Sequence, residues 1–95
     1  MKAVQAYVKL CENLDLAWDP KVGTWVIDKF TQQGRLIYGY DSQRDKLVLA
    51  HPLGDPQNSY SNVKSNLVPL YATGYIVGPD FFSKICLDAG IKGFI

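Results

Sequence analysis

The residues that could carry nucleophilic or metal chemistry in this chain are few. There is one histidine, His51, and there are two cysteines, Cys11 and Cys86. A nucleophile needs a base within reach. His51 could act as that base for a cysteine or a serine, but no motif of the Gly-x-Ser-x-Gly type is present. Structural zinc needs ligands in pairs at short spacing, which these three residues do not provide. The sequence therefore predicts a protein that is not an enzyme and that needs no metal and no cofactor.

Two pairs of aspartates stand where the chain is expected to turn. Asp15 lies near Asp19, and Asp41 lies near Asp45. Aspartate is favoured in turns because its side chain bonds the nearby backbone, and neither pair has the spacing of a calcium-binding loop. The glycines are scattered and form no phosphate-binding loop. We therefore interpret the aspartates as turn residues.

The composition is that of one small folded domain, residues 1–95. Hydrophobic residues make up 47% and charged residues 20% of the chain, which argues against disorder. The net charge is +1, whereas proteins that bind nucleic acid through its phosphates usually carry a clear basic excess. No continuous apolar run follows Met1–Gln5, and none reaches the length of a membrane span. We expect no membrane association, a cytoplasmic location in a bacterial or host cell, and cysteines that are buried thiols.

The expected fold class is α+β, with two N-terminal helices, an antiparallel β-hairpin, a third strand and a C-terminal helix. Residues 2–14 carry apolar side chains at the i, i+3, i+4 and i+7 spacing of a helix. Residues 71–77 are apolar and predict the third strand. Gly78-Pro79-Asp80 begins the last helix and Gly90 ends it, because proline suits the first helical position and glycine the left-handed closing position.

The segment 20–33 is predicted as the second helix, with a strand at 25–30 as the alternative. Asp19-Pro20 is a suitable helix start, and Gly34 suits the left-handed position that closes a helix. Four apolar residues between them recur at helical spacing: Val22, Trp25, Val26 and Phe30. The alternative remains because tryptophan, valine, isoleucine and phenylalanine favour sheets.

Residues 35–40 and 46–51 are predicted to form the hairpin, joined by the polar loop 41–45. A register that pairs Tyr38 with Leu49 would place six alternating residues on one core face. These residues are Leu36, Tyr38, Tyr40, Leu47, Leu49 and His51.

A protein-binding module is the function that remains after these exclusions. We expect an accessory, adaptor or inhibitor protein of phage or bacterial origin, with the partner contacting Tyr40, Arg44 and Lys46 near the hairpin loop and Tyr60 on the long connection that follows. Tyrosine and arginine carry much of the binding energy at protein interfaces. A homodimer is a variant of this reading, because a small core and an edge strand both favour association.

The alternative is nucleic-acid binding. A helix at 20–33 followed at once by a hairpin at 35–51 resembles the helix-and-wing end of winged helix-turn-helix domains. The resemblance implies that Lys21, Lys29 and Gln32 face a DNA groove, while Arg44 and Lys46 contact phosphate. It covers about a third of the chain and rests on no specific motif. The chain departs from that family because one helix, not two, precedes this one, and because a strand and a helix follow.

Overall fold

The computed structural model describes residues 2–15, 17–50, 60–70 and 77–91, which form an antiparallel sheet packed against two helices. The five strands lie in the order β4-β3-β2-β1-β5. A 3-10 turn, Lys64–Asn66, precedes the last strand. The elements in chain order are α1 (Ala3–Leu14), β1 (Trp25–Asp28), β2 (Gly34–Asp41), β3 (Lys46–Ala50), β4 (Tyr60–Asn62), β5 (Leu67–Pro69) and α2 (Pro79–Asp88).

The α+β class is therefore right, but the predicted arrangement of elements is wrong. One helix, not two, precedes the sheet in the described part of the chain, and the sheet has five strands where a hairpin and one further strand were expected. The first and last helices are confirmed, since α1 and α2 begin and end within two residues of the predicted bounds. The predicted third strand at 71–77 lies outside the described residues except for Val77, which belongs to no strand.

The segment predicted as the second helix contains β1 instead, as the alternative reading proposed. Two of the four residues assigned to its apolar helix face are exposed, Val22 at 65% and Phe30 at 78%. Val26 and Ile27, which are consecutive, are both fully buried and belong to different core clusters. A strand achieves this because successive side chains point to opposite faces of a sheet. The burial of consecutive residues on both faces of the sheet therefore decides that this segment is a strand, although its apolar residues also recur at helical spacing.

Gly34 does not close a helix. It begins β2, and its N–H donates to the carbonyl oxygen of Ala89 at 2.9 Å. A Cβ atom at this position would lie 2.3 Å from Cδ1 of Ile91. Glycine is therefore required here by the close approach of the end of α2 to the sheet, rather than by a left-handed backbone.

The hairpin is confirmed, but its predicted register and core face are wrong. Leu49 pairs with Ile37 and not with Tyr38, because the register shifts between Ile37 and Gly39. Such a bulge places an extra residue in one strand and changes which side chains share a face. Ile37 is consequently buried, whereas Tyr38 and Tyr40 are exposed. His51, the sixth residue of the predicted face, lies outside the described residues.

The two faces of the sheet carry separate cores. Both helices cover the first face, where Tyr7, Ile27 and Ile85 belong to the larger cluster. The Tyr7 hydroxyl also donates to the carbonyl oxygen of Pro69, which ties α1 to β5. We call the other side the second face. Its smaller cluster consists of Val26, Ile37, Leu47, Leu49 and Leu67, with Trp18 and Tyr60 packed against it.

The connection between β4 and β5 covers part of the second face. These strands lie at opposite ends of the strand order, but the sheet curls, since Tyr60 and Asn62 of β4 both donate to Asp28 at the end of β1. Residues 63–66, here called the crossing segment, join the two strands. Asn66 anchors the segment at both sides. Its amide Nδ2 donates to Asn62 Oδ1 at 2.8 Å, and its carbonyl oxygen accepts from the Lys29 N–H at 2.9 Å. The segment therefore runs from the hairpin-tip end of β4, where Asn62 pairs with Leu47, to the β1–β2 turn at Lys29.

Candidate functional site

The loop at the tip of the hairpin is ordered by its own aspartates. Asp41 Oδ1 accepts from the backbone N–H of Gln43 at 3.1 Å and of Arg44 at 3.3 Å. Asp45 adopts a left-handed backbone with φ 52°, which returns the chain to β3. Arg44 Nε lies 3.8 Å from Asp41 Oδ2, and the arginine side chain is 73% exposed. A pair this exposed contributes little to stability, so the guanidinium is available at the tip.

Tyr40 is the exposed aromatic residue beside this loop. It pairs with Leu47 across the hairpin, so both side chains lie on the second face. The tyrosine is 56% exposed, while Leu47 is buried. Its hydroxyl donates to Asp45 Oδ1, and this hydrogen bond raises the pKa of Tyr40 above its usual value. The ring is thus held in one orientation without being covered.

A groove of about 640 Å³ lies on the second face between Tyr40 and the crossing segment. We call it the tip groove. Leu47 and Ile37 form a buried apolar floor, and Val22 provides an exposed apolar wall opposite the hairpin. Further apolar lining comes from Pro20 and Val63. The volume lies within the range of ordinary ligand pockets, roughly 300–1,000 Å³.

Two charged residues of opposite sign also line the tip groove. Asp45 contributes its carboxylate from the hairpin loop, and Lys64 contributes its ammonium from the crossing segment, next to Ser65. The Lys64 ammonium lies 5.2 Å from the ring centroid of Trp18, at cation–π distance. The arrangement can bind an apolar group and orient polar groups around it.

The structure brings together only some of the predicted contact residues. Tyr40 and Arg44 share the hairpin tip. Lys46 pairs with Asp41, one step from the Tyr40–Leu47 pair, and therefore points to the opposite face. Tyr60 lies in β4 on the second face, half-buried, so it is a strand residue and not part of a loose loop.

The hydroxyl of Tyr60 is engaged by a buried carboxylate. Asp28 is 4% exposed, and its Oδ2 accepts from Tyr60 Oη at 2.9 Å and from Asn62 Nδ2 at 3.3 Å. Its Oδ1 accepts from the N–H of Phe30 at 2.8 Å and of Thr31 at 3.2 Å. Burial raises the pKa of Tyr60, and the bond to Asp28 acts in the same direction. Because buried polar groups need such partners, we assign this network to stability.

A second cleft of about 530 Å³ lies on the other side of the crossing segment and includes Cys11 and Lys29. Cys11 is buried, and burial raises the pKa of its thiol. The same holds for Cys86, and both cysteines are free. The thiolate is the reactive form of cysteine, so neither residue is activated as a nucleophile.

The residues proposed to contact nucleic acid do not share a surface. Lys29 follows β1 and Gln32 belongs to the β1–β2 turn, whereas Arg44 and Lys46 stand at the hairpin tip. These are opposite ends of β2, whose eight residues span roughly 23 Å at about 3.3 Å per residue. Lys21 is exposed in the turn before β1. With no helix at 20–33, the winged-helix resemblance loses the element on which it depended.

Within the described ranges, no three or more histidine, cysteine or acidic side chains are grouped to hold a metal ion, and no helix is long and apolar enough to cross a membrane. No family model, no curated protein and no solved structure matches this chain. The functional argument therefore depends on the residues of the site itself.

The sequence predicted Tyr40 as a contact residue of the tip groove, but it did not predict Val22 and Lys64, which also line the groove. Tyr40 and Arg44 were identified by residue type and by their position near a turn. Val22 was assigned to a buried helix face, and Lys64 was not singled out. The available signal was the run Trp25–Ile27, whose β-branched and aromatic residues favour a strand and would have placed Val22 in the turn before it.

Proposed function

We propose that this chain is a small non-enzymatic protein-interaction module, an accessory, adaptor or inhibitor protein, that binds an apolar side chain of a partner protein in the tip groove. The observation that carries the proposal is an exposed apolar rim above a buried apolar floor. Val22 and Tyr40 form the rim, and Ile37 and Leu47 form the floor.

Single exposed apolar residues are normal on protein surfaces. Val22 and Tyr40 differ because they line the same concave site, although they come from the turn before β1 and from β2. Closing that site with a partner side chain would remove both from water. Tyr40 is already oriented by Asp45, which lowers the entropy lost on binding. Arg44 beside it can add charge-assisted hydrogen bonds at the edge of the contact.

The two free thiols support a reducing compartment, and we extend the proposal to the cytoplasm. A second copy of the chain is one form that the partner could take. Among the described residues, the edge strands β4 and β5 have three residues each and β5 ends in proline, which offers little for strand pairing. We therefore place the contact of such a homodimer at the tip groove as well.

The test is an affinity capture from nuclease-treated native lysate with wild-type protein and with the Tyr40→Ala/Arg44→Ala variant. We expect the variant to retain at least tenfold less of a defined protein, because loss of one interface hot spot costs about 2 kcal/mol or more. Phe30→Ala is the matched control. It removes an exposed aromatic side chain that does not line the tip groove, and it should leave capture unchanged.

Thermal unfolding must accompany the capture. Tyr40 and Arg44 are exposed, so their replacement should leave the melting temperature nearly unchanged. Equal capture by wild type and variant would contradict the proposal. So would retention that disappears with nuclease treatment, which would instead support nucleic-acid binding.

A further inference from the structure

We infer that the tip groove recognises a partner segment in which an apolar side chain stands between a basic and an acidic residue, in a fixed direction. This inference rests on the proposed function and specifies the chemistry of the partner. The observation that carries it is that Asp45 from the hairpin loop and Lys64 from the crossing segment line one apolar groove with opposite charges.

Asp45 supplies the site for the basic residue. It is exposed at the hairpin tip, and its Oδ1 already accepts the Tyr40 hydroxyl. A carboxylate has about four acceptor positions on its two oxygens, so it can also accept a cationic donor from a partner. The nearest cations of the hairpin do not contact Asp45: Arg44 lies beside Asp41, and Lys46 lies on the opposite face.

Lys64 supplies the site for the acidic residue. Its ammonium lies over the Trp18 ring, a contact that positions the charge without neutralising it. Among the described residues, Arg44 and Asp41 form an ion pair that includes neither Asp45 nor Lys64. Both charges therefore remain available to a partner.

The two charges give the groove a direction. Asp45 belongs to the hairpin loop, whereas Lys64 belongs to the crossing segment. Ile37 and Leu47 lie on the floor of the same groove. Complementary charges at an interface mainly fix orientation and exclude wrong partners. A segment bound with its charges reversed would place like charges together at both positions.

The experiment is a selection of randomised nine-residue peptides displayed on phage against the purified full chain. Peptides that also bind the Val22→Ser/Tyr40→Ala variant are discarded, so those that remain need the tip groove. We expect them to share one apolar position with basic residues on one side and acidic residues on the other, in a constant order.

A selected peptide is then synthesised and measured by fluorescence anisotropy at low salt. Asp45→Asn and Lys64→Gln should each weaken binding about two- to fivefold, which is typical of an exposed ion pair. Asn is chosen because it tolerates the left-handed backbone of Asp45. Neutralising the basic peptide residue should cost nothing further in Asp45→Asn. Lys9→Gln, an exposed lysine on α1, is the control and should bind like wild type.

The outcomes separate the inference from the proposed function. Groove-dependent peptides without a charge pattern, or with affinity unchanged in both neutralised variants, would overturn the inference while the proposed function stands. A selection that yields only peptides insensitive to the Val22→Ser/Tyr40→Ala variant would overturn both.

Discussion

Gly34→Ala is predicted to destabilise the fold because it places a methyl group where β2 meets the end of α2. The added Cβ would lie 2.3 Å from Cδ1 and 2.4 Å from Cγ1 of Ile91. Ile91 is itself buried, and the Gly34 N–H is bonded to the Ala89 carbonyl at 2.9 Å, so the contact can be relieved only if the Ile91 side chain repacks within the core or this hydrogen bond lengthens.

The expected cost follows from overpacking. Inserting a methylene-sized group into a packed core typically costs about 1–3 kcal/mol. At roughly 4–8 °C per kcal/mol for a domain of this size, a cost of about 2 kcal/mol lowers the melting temperature by about 8–16 °C. Urea unfolding followed by circular dichroism measures the free energy directly.

Gly39→Ala is the matched control, since it makes the same substitution in the same strand. A Cβ at Gly39 meets no atom within 4 Å, and its φ is not positive. We expect its stability to equal or slightly exceed that of the wild type. If Gly34→Ala and Gly39→Ala unfold at the same urea concentration, the close approach of α2 to β2 is wrong. Combining Gly34→Ala with Ile91→Ala should remove the clash, so the two costs should not add.

Three further experiments test the buried groups. Asp28→Asn should lower the free energy of unfolding, measured in urea, by about 1–3 kcal/mol, because an amide group would face the Tyr60 and Asn62 donors. The control is Asp15→Asn at an exposed position. Equal stability of the two variants would contradict a stabilising role for the Asp28 network. Burial raises the pKa of Cys11, Cys86 and Tyr60. The unfolded chain therefore loses these protons first, so the contribution of these three groups to stability should be fully present below about pH 8 and should fall as the pH rises above it. Native thiols should react slowly with iodoacetamide until urea unfolds the chain, whereas rapid native labelling would refute their burial.

The helices could be predicted from the sequence because their periodicity and end signals agree. In α2, proline opens the first turn and Gly90 closes the last with φ 74°. The segment before Gly34 has similar signals but is a strand. Local spacing cannot report that Val26 and Ile27 are buried on opposite faces, because that depends on α1 and α2 covering one face and the crossing segment the other.

The hairpin could be located but not aligned. Strict alternation assigns Tyr38 and Tyr40 to one face, whereas the bulge between Ile37 and Gly39 places Ile37 and Tyr40 together. Gly39 was the one local signal of this register shift, since glycine within a strand often marks a bulge. One extra residue therefore decides that Tyr40 lines the tip groove beside Leu47.

The tip groove itself is a consequence of unequal strand lengths. β2 has eight residues, but β1 pairs with only its first three, and β4 and β5 have three residues each. The hairpin therefore extends past β1, whereas β4 pairs with Leu47, one residue from the tip end of β3. Tyr40 lies in the part of β2 that has no β1 partner, and this leaves its ring exposed beside the groove. The identity of residues 22, 45 and 64, which line the same groove, then decides what the groove binds.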